Sequence, residues 1–334
     1  MGAQLRELRR RIRSAENIKK ITKAQELIAA SRIVKAQQRA EAARPYTRAL
    51  VAALEAAAEK SRLDHPLIEG VGEPHRSAVL VVTSDRGFAG AYTSNVIRQT
   101  EALIGLLAEQ GQEVVPYVVG AKGVNWFKFR GRETGGAYTG FTGTPAYSDA
   151  REIADDLLKA MGTPTDEGGV DEIHVVSTHF VNMVRQEVRP RRLFPIVVEE
   201  VPEPVRQAES GAGLGETSEP GATASGPATS EPASAGAERH DGPMPLYDFE
   251  PSAEEVLDAL LPQYAGNLVY TTLLNAAASE WAARRRAMKS ATDNAGDLQE
   301  SLTRDANSAR QAEITQEISE IVGGANALAG AGAE

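Results

Sequence analysis

Apolar residues recur every three or four positions at both ends of this chain, while the middle shows short apolar runs. From Gln4 to about Lys60 there is no glycine and a single proline, Pro45. Leu5, Leu8, Ile12, Ala15, Ile18, Ile21, Gln25 and Ile28 trace a heptad-like stripe with one three-residue slip. That pattern predicts a long helix whose seam is locally overwound. Ala52, Ala53, Ala56, Ala57 and Ala58 extend it, favouring helix and close packing. A second stripe runs through Leu257, Leu260, Tyr264, Leu268, Thr271, Leu274, Ala278, Trp281 and Met288, and on through Ala291, Ala295, Leu298, Leu302, Ala309, Ile314, Ile318, Ile321, Ala325 and Leu328. Ser252 followed by Glu254 and Glu255 marks its start, a hydroxyl N-cap with acids in the first turn. At about 1.5 Å per residue the two helices reach roughly 85 Å and 110 Å. No compact core is that wide, so they must pair along a shared axis, as an antiparallel coiled coil, or find partners outside the chain.

Between them the pattern reads as α/β. Ala78–Val82, Glu113–Val119, Glu172–Phe180 and Arg191–Val198 are strand-like, and Tyr92–Gln110, Lys122–Phe129 and Ser148–Met161 are helix-like, with Ser148 as the expected N-cap. Alternating strands and helices predict a mostly parallel, Rossmann-like sheet whose last two strands are antiparallel. Residues 203–243 are rich in Gly, Ala, Pro, Ser, Thr and Glu and almost free of large apolar groups, which predicts a disordered insertion. The polar stretch 162–169 is a second candidate. The expected division is 1–60 and 252–330 for the rod, 75–200 for the body and 203–243 for the insertion.

Charge sharpens this picture. The chain carries a net charge of −10, yet residues 1–48 hold 13 Lys and Arg against four acids, and residues 203–241 hold seven acids against Arg206 and Arg239. A basic rod and an acidic spacer share one acidic protein. There is no cysteine, which excludes disulfides, thiolate nucleophiles and thiolate metal sites. His174 and His179 sit at odd spacing on one strand and so face opposite sides of the sheet. No 18-residue apolar stretch and no export signal is present, so a cytoplasmic location is expected.

Candidate chemistry is sparse. Thr83–Gly90 follows a strand and precedes a helix, as a phosphate cradle would, but neither GxGxxG nor GxxxxGK[ST] occurs there. A tight strand-to-helix turn explains those glycines more simply. Asp155–Asp156 and Glu199–Glu200 are adjacent acids whose side chains diverge, and Ser84–Asp85 has no histidine completing a triad. The tail from Ile321 to Ala333 carries no charge. A small, smooth, uncharged tip suits insertion into an apolar sleeve; a frayed Gly/Ala tail is the plainer alternative.

These parts together resemble the gamma subunit of F-type ATP synthase over nearly the whole chain outside the spacer. The resemblance rests on Asn17–Ala24, Ala29–Arg32, Ser84–Gly90, Ala287–Ala295 and, most specifically, Arg310–Ala325. Gln25 replaces a frequent Met, Phe88 and Ala89 replace Leu and Cys, Arg285 and Arg286 replace apolar residues, and the acidic spacer is not a general family feature. The resemblance implies a rotor shaft threading a ring of three alpha and three beta subunits. Its body would sit with the epsilon subunit on a membrane c-ring, peripheral to the cell membrane on the cytoplasmic side. It implies no catalytic, cofactor or metal residue in this chain and no direct membrane insertion. Lys19, Lys20, Lys23, Gln25, Arg284, Arg285, Arg286 and Lys289 are then expected to meet beta-subunit loops, together with Arg310, Gln311, Thr315 and Glu317. Ile321, Val322, Ala325 and Leu328 are expected to form the bearing tip. Two other readings stand beside it: a nucleic-acid-binding coiled coil, from the basic first helix, and a nucleotide-dependent enzyme built on the turn from Asp85 to Gly90.

Overall fold

The computed structural model describes residues 2–60, 72–196, 250 and 252–331. Helix α1 (Gly2–Lys60) passes through Pro45 without breaking. Then follow β1 (Arg76–Val82), α2 (Tyr92–Glu109), β2 (Glu113–Val119), α3 (Ala121–Phe129), β3 (Gly136–Tyr138), α4 (Tyr147–Met161), β4 (Glu172–Phe180) and β5 (Gln186–Phe194). The last helix, α5 (Ala253–Ala331), carries Pro262 inside it. The insertion expected at 203–243 lies outside the described residues.

α1 and α5 pair antiparallel. Thr292 donates to the Thr22 hydroxyl at 2.8 Å, Asn267 donates to the Thr47 hydroxyl at 2.9 Å, and Ala57 packs on Leu257 and Leu261. Later residues of α1 thus meet earlier residues of α5. The buried side of α1 runs Leu5, Leu8, Ile12, Ala15, Thr22, Glu26, Ala29, Ile33 and Ala36, then Ala40, Ala43, Thr47, Leu50, Leu54 and Ala57. Steps of three and four alternate, apart from one full heptad from Ala15 to Thr22 that keeps the same register, so there is no slip. The expected overwound seam is therefore corrected: from residue 18 it followed the isoleucines rather than the period. Ile18, Ile21 and Ile28 are 49%, 62% and 47% exposed. On α5 the same thing happens. Met288, Thr292, Ala295, Leu302 and Ala306 face α1, while Leu298, Ile314, Ile318 and Ile321 face out. With this register, α1 runs out opposite the region of Ala309 to Glu313, and α5 continues beyond as a single helix.

The five strands lie in the order β3-β2-β1-β4-β5. β1 pairs parallel with β2 and β4, β2 pairs parallel with β3, and β4 pairs antiparallel with β5. One face (Leu80, Val82, Val119, Ile173, Val175) packs under α4 and the Ala265–Ala276 stretch of α5. The other (Val79, Val81, Val118, Val176) packs under α2 and α3. Burial on both faces is why β1 reads as a continuous apolar run rather than an alternation. β5 begins and ends before the expected 191–198, because its three arginines and Pro190 mask an edge strand. β3 has three residues, too few to show a period.

Two local expectations also change. Ser148 is not the cap of α4; the helix begins at Tyr147, and the Asp149 carboxylate accepts the Ala146 N–H at 2.7 Å. Ser252 does cap α5, its hydroxyl accepting the Glu255 N–H at 3.2 Å. The 162–169 stretch is an ordered connection with a 3-10 turn at Thr165–Glu167. Asp171 ties that connection to β1, accepting from the Thr165 hydroxyl and from the His75 and Arg76 N–H groups at 2.8 and 3.0 Å.

The register makes a direct prediction. Ile33→Ala, at a fully buried seam position, should cost about 2–5 kcal/mol of unfolding free energy. Ile21→Ala, on the outer face, should cost no more than about 0.5 kcal/mol. Denaturant titration of the two variants measures the difference, and equal losses would restore the slipped seam.

Candidate partner-facing surface of the shaft

Open parallel sheets bind ligands where the strand order reverses, beyond the carboxyl ends of the strands. Here that crevice lies between β1 and β4, and α5 fills it. Ser279 donates to the Thr178 carbonyl at 3.2 Å, and the Tyr92 hydroxyl donates to the Ala276 carbonyl at 3.3 Å. The Trp281 indole N–H donates to the Gly143 carbonyl at 2.8 Å. Arg284 donates to Glu280 at 2.6 Å and to the carbonyls of Arg86 and Gly87 at 3.3 and 3.4 Å. Its guanidinium lies 4.6 Å from the centroid of the Trp281 ring. Glu280 is 2% and Arg284 5% exposed. Burial pushes the Glu280 carboxyl above its usual range, against the pull of the Arg284 charge.

The turn beneath this clamp is held from its other side as well. Asp85 accepts the N–H groups of Ala121 and Thr142, each at 3.0 Å, and its own N–H donates to the Thr142 hydroxyl. Burial alone would raise the Asp85 pKa; backbone donors at Gly140, Thr142 and Ala121 outweigh it and hold the group below the usual carboxylate range. Gly120 (φ 97°) lets β2 end against this turn, since a β-carbon there would fall 2.7 Å from the Thr83 backbone. The turn's backbone and the residues around it are thus committed to the joint between body and shaft. The crevice in which a nucleotide would lie is occupied by protein.

The sequence-predicted contact residues divide into two groups. Arg284 is corrected: it is an internal clamp, not a surface cation. Arg285 and Arg286 also turn toward the body. Arg285 contacts the Met183 sulfur at 3.1 Å, and Arg286 donates to the Val184 carbonyl and the Gln186 side chain. Consecutive arginines read as surface charge, and nothing local reveals that the body reaches up to take them. The remaining residues point outward. Lys20 pairs with Glu16 at 2.7 Å, Lys23 with Glu26 at 3.0 Å and Lys289 with Asp293 at 3.3 Å. Lys19 lies beside Gly296, and Gln25 is exposed. Arg310 and Gln311 are exposed where α1 runs out, and Thr315 and Glu317 are exposed on the unpaired part of α5 beyond, with the Thr315 hydroxyl donating to the Gln311 carbonyl. Ile321 and Val322 are 71% and 52% exposed. The side chains of Ala325 and Leu328 lie outside the described residues.

Sequence reasoning missed a second outward set. Ile18, Ile21, Leu27, Ile28 and Val34 on α1 are each 46–62% exposed, interleaved with the lysines. Extending the alternation of Leu5, Leu8, Ile12 and Ala15 without interruption would have found them. Among the described residues no helix is long and apolar enough to cross a membrane.

A two-helix shaft rooted in an α/β body, running past it and carrying apolar and cationic residues outward, defines a central-stalk type of assembly subunit. A family model described as ATP synthase matches residues 4–328. An ATP synthase gamma chain of Thermobifida fusca is 52% identical over 333 residues, covering 100% of this chain and 99% of its own. One of Streptomyces griseus is 53% identical over 331 residues, covering 99% and 98%. The chain belongs to the ATP synthase gamma chain family. Among solved structures, a chain of the Euglena gracilis mitochondrial ATP synthase aligns over 98% of this chain and 95% of its own, with TM-score 0.61 and 14% identity. A chain of the Tetrahymena thermophila mitochondrial ATP synthase central stalk and c-ring covers 81% and 99%, with TM-score 0.52 and 20% identity. At these identities the likeness is one of fold.

The buried pair generates a prediction. Arg284→Met leaves the buried Glu280 carboxylate without its cation and should cost about 3–5 kcal/mol. Adding Glu280→Met should recover at least half of that loss, because the uncompensated charge is gone. Denaturation midpoints of the single and double variants test it.

Proposed function

We propose that this chain is the central rotor of a proton-driven ATP synthase. Its shaft passes through a ring of three alpha and three beta subunits. Its body sits with an epsilon subunit on the membrane c-ring, so the chain is peripheral to the cell membrane, on the cytoplasmic side. Proton flow turns the c-ring and the shaft, and the asymmetric shaft drives each beta subunit in turn through different nucleotide affinities. Bond making belongs to the ring; this chain supplies no catalytic, metal-binding or cofactor residue. The observation that carries the reading is the unpaired reach of α5 beyond α1, a single exposed helix with Ile314, Ile318, Ile321 and Val322 on its surface. Bare apolar residues on a lone helix need a sleeve.

Within this reading, Lys19, Lys20, Lys23, Gln25 and Lys289 meet beta-subunit loops low on the shaft. Arg310, Gln311, Thr315 and Glu317 meet them higher up, and the residues from Ile321 form the tip. The interleaved isoleucines of α1 add apolar contact to the same surface. Arg285 and Arg286 act from the base, where they also brace the β4–β5 turn. The filled crevice disfavours the nucleotide-enzyme alternative. The apolar residues among the lysines of α1 suit a protein partner better than a nucleic-acid backbone.

The isolated chain should hydrolyse no ATP, and mixing it with alpha and beta subunits should yield a complex with one copy per ring. Failure to assemble where another gamma chain does would overturn the reading. Arg310→Ala with Gln311→Ala should assemble normally but lower ATP-driven proton pumping per ATP hydrolysed, measured in vesicles carrying the whole complex. Unchanged pumping would remove these two residues from the contact set.

A further inference from the structure

The sheet ends at β5, which among the described residues pairs with β4 alone. Pro190 interrupts this edge, since proline has no N–H to give an added strand. The charge on the strand is a separate matter. Residues 185–194 hold four arginines, Arg185, Arg189, Arg191 and Arg192, against the single acid Glu187. Glu187 is shared by Arg185 and Arg189. Arg192 reaches Glu172 on β4 at 3.0 Å, and His174 contacts the other oxygen of that carboxylate at the same distance. Arg191 is within ion-pair distance of no acid among the described residues. Arg189, Arg191 and Arg192 are all exposed. Two carboxylates thus serve four guanidinium groups, and the edge keeps an excess of positive charge that blocking strand addition does not require.

The complement lies in the same chain. The described residues stop at Ile196, two positions beyond β5, and resume at Glu250. Between them, residues 199–241 carry nine acids against Arg206 and Arg239. The stretch from Phe194 to Glu203 spans at most about 30 Å when extended, and β5 with its nine residues is itself about 30 Å long. The first acids can therefore meet every arginine on the strand. The other cationic surface is farther off. The densest shaft charge, from Arg6 to Lys23, begins opposite Thr292. The helix rise puts that point roughly 60 Å along α5 from its start at Ala253. A tethered segment also acts at a high effective concentration, so contacts that are individually weak suffice to hold it.

We propose that the outer edge of β5 is an intramolecular docking surface for the acidic spacer, residues 199–241, with Arg185, Arg189, Arg191 and Arg192 as its contacts. Docked there, the spacer belongs to the body and travels with it rather than bridging to a neighbouring subunit. The contact does not depend on the rotor reading. In the full-length chain, Arg189→Lys with Arg191→Lys keeps the charge and supplies amines that a carbodiimide joins to touching carboxylates, with loss of water. At low salt, mass spectrometry should find these lysines linked to acids of 199–241, with a yield that falls several-fold as salt is added. Lys20 and Glu16, 2.7 Å apart, are the internal control. A second measurement leaves the arginines untouched: deleting residues 203–241 should speed hydrogen exchange of the 185–194 amides several-fold and leave β1 unchanged. Spacer acids that link to shaft lysines, or to none while the Lys20–Glu16 control links, overturn the proposal. So does exchange in β5 that the deletion does not alter, which would leave the arginines as edge masking alone or free for a separate partner.

Discussion

The seam between α1 and α5 is the contact on which everything else hangs. It joins residues as far apart as Thr22 and Thr292, so the two ends of the chain meet only after everything between them has been looped out. Its long-range cost in chain entropy is met once, and grows slowly with loop length. Many of the contacts that repay it are small: Ala15, Ala29, Ala36 and Ala57 on one helix, Ala282, Ala295 and Ala306 on the other, with Ile33, Leu50 and Leu302 among them. Alanine lets the two backbones approach closely but contributes little area per residue, so the seam needs many turns to be stable. Polar steps set its register. Thr22 with Thr292 and Thr47 with Asn267 place hydrogen bonds inside the seam, and a shift by one turn would leave each without its partner.

The second consequence follows from where α5 goes next. A doubly wound sheet offers a crevice at its strand-order reversal, and most such proteins fill it with a ligand. In this one the crevice receives Ser279, bonded to β4, Trp281 and Arg284, bonded to loops of the body, and Glu280, which accepts from Arg284. Apolar packing from Ala265 to Ala276 holds the helix on the sheet, but it is not directional and resists sliding weakly. The buried polar cluster adds angular definition, because carbonyls and carboxylates must be met head-on. Shaft and body therefore turn as one piece.

Much of this architecture was legible in the sequence. Two long helices, three of the strands and the antiparallel closing pair follow from apolar period and run length. What misled was side-chain size. Ile18, Ile21 and Ile28 looked like core because they are large, whereas the seam uses Thr22, Glu26 and Ala29. In a shaft that faces partners on its outside, big apolar residues belong on both faces, and only strict alternation tells the faces apart. The joint was illegible for a related reason. Arg284, Arg285 and Arg286 lie side by side, and which of them is buried depends on loops some 100 to 200 residues away. The excess of cations on α1 is plain from the sequence, and Arg310 and Gln311, marked only by the family resemblance, lie exposed.

The way the shaft handles its charge bears on how a rotor can grip and let go. Lys20, Lys23 and Lys289 each already hold a carboxylate on their own helix. A partner acid that takes one of these lysines displaces an existing pair rather than satisfying a bare charge. The net gain per contact is the small difference between two ion pairs at the shaft surface. The apolar residues beside them lose water on contact without forming any directional bond, so they hold through area and release by sliding. A surface built this way supports a partner at every angle and binds it tightly at none. The directional, desolvated interactions are kept at the joint, between parts that never separate.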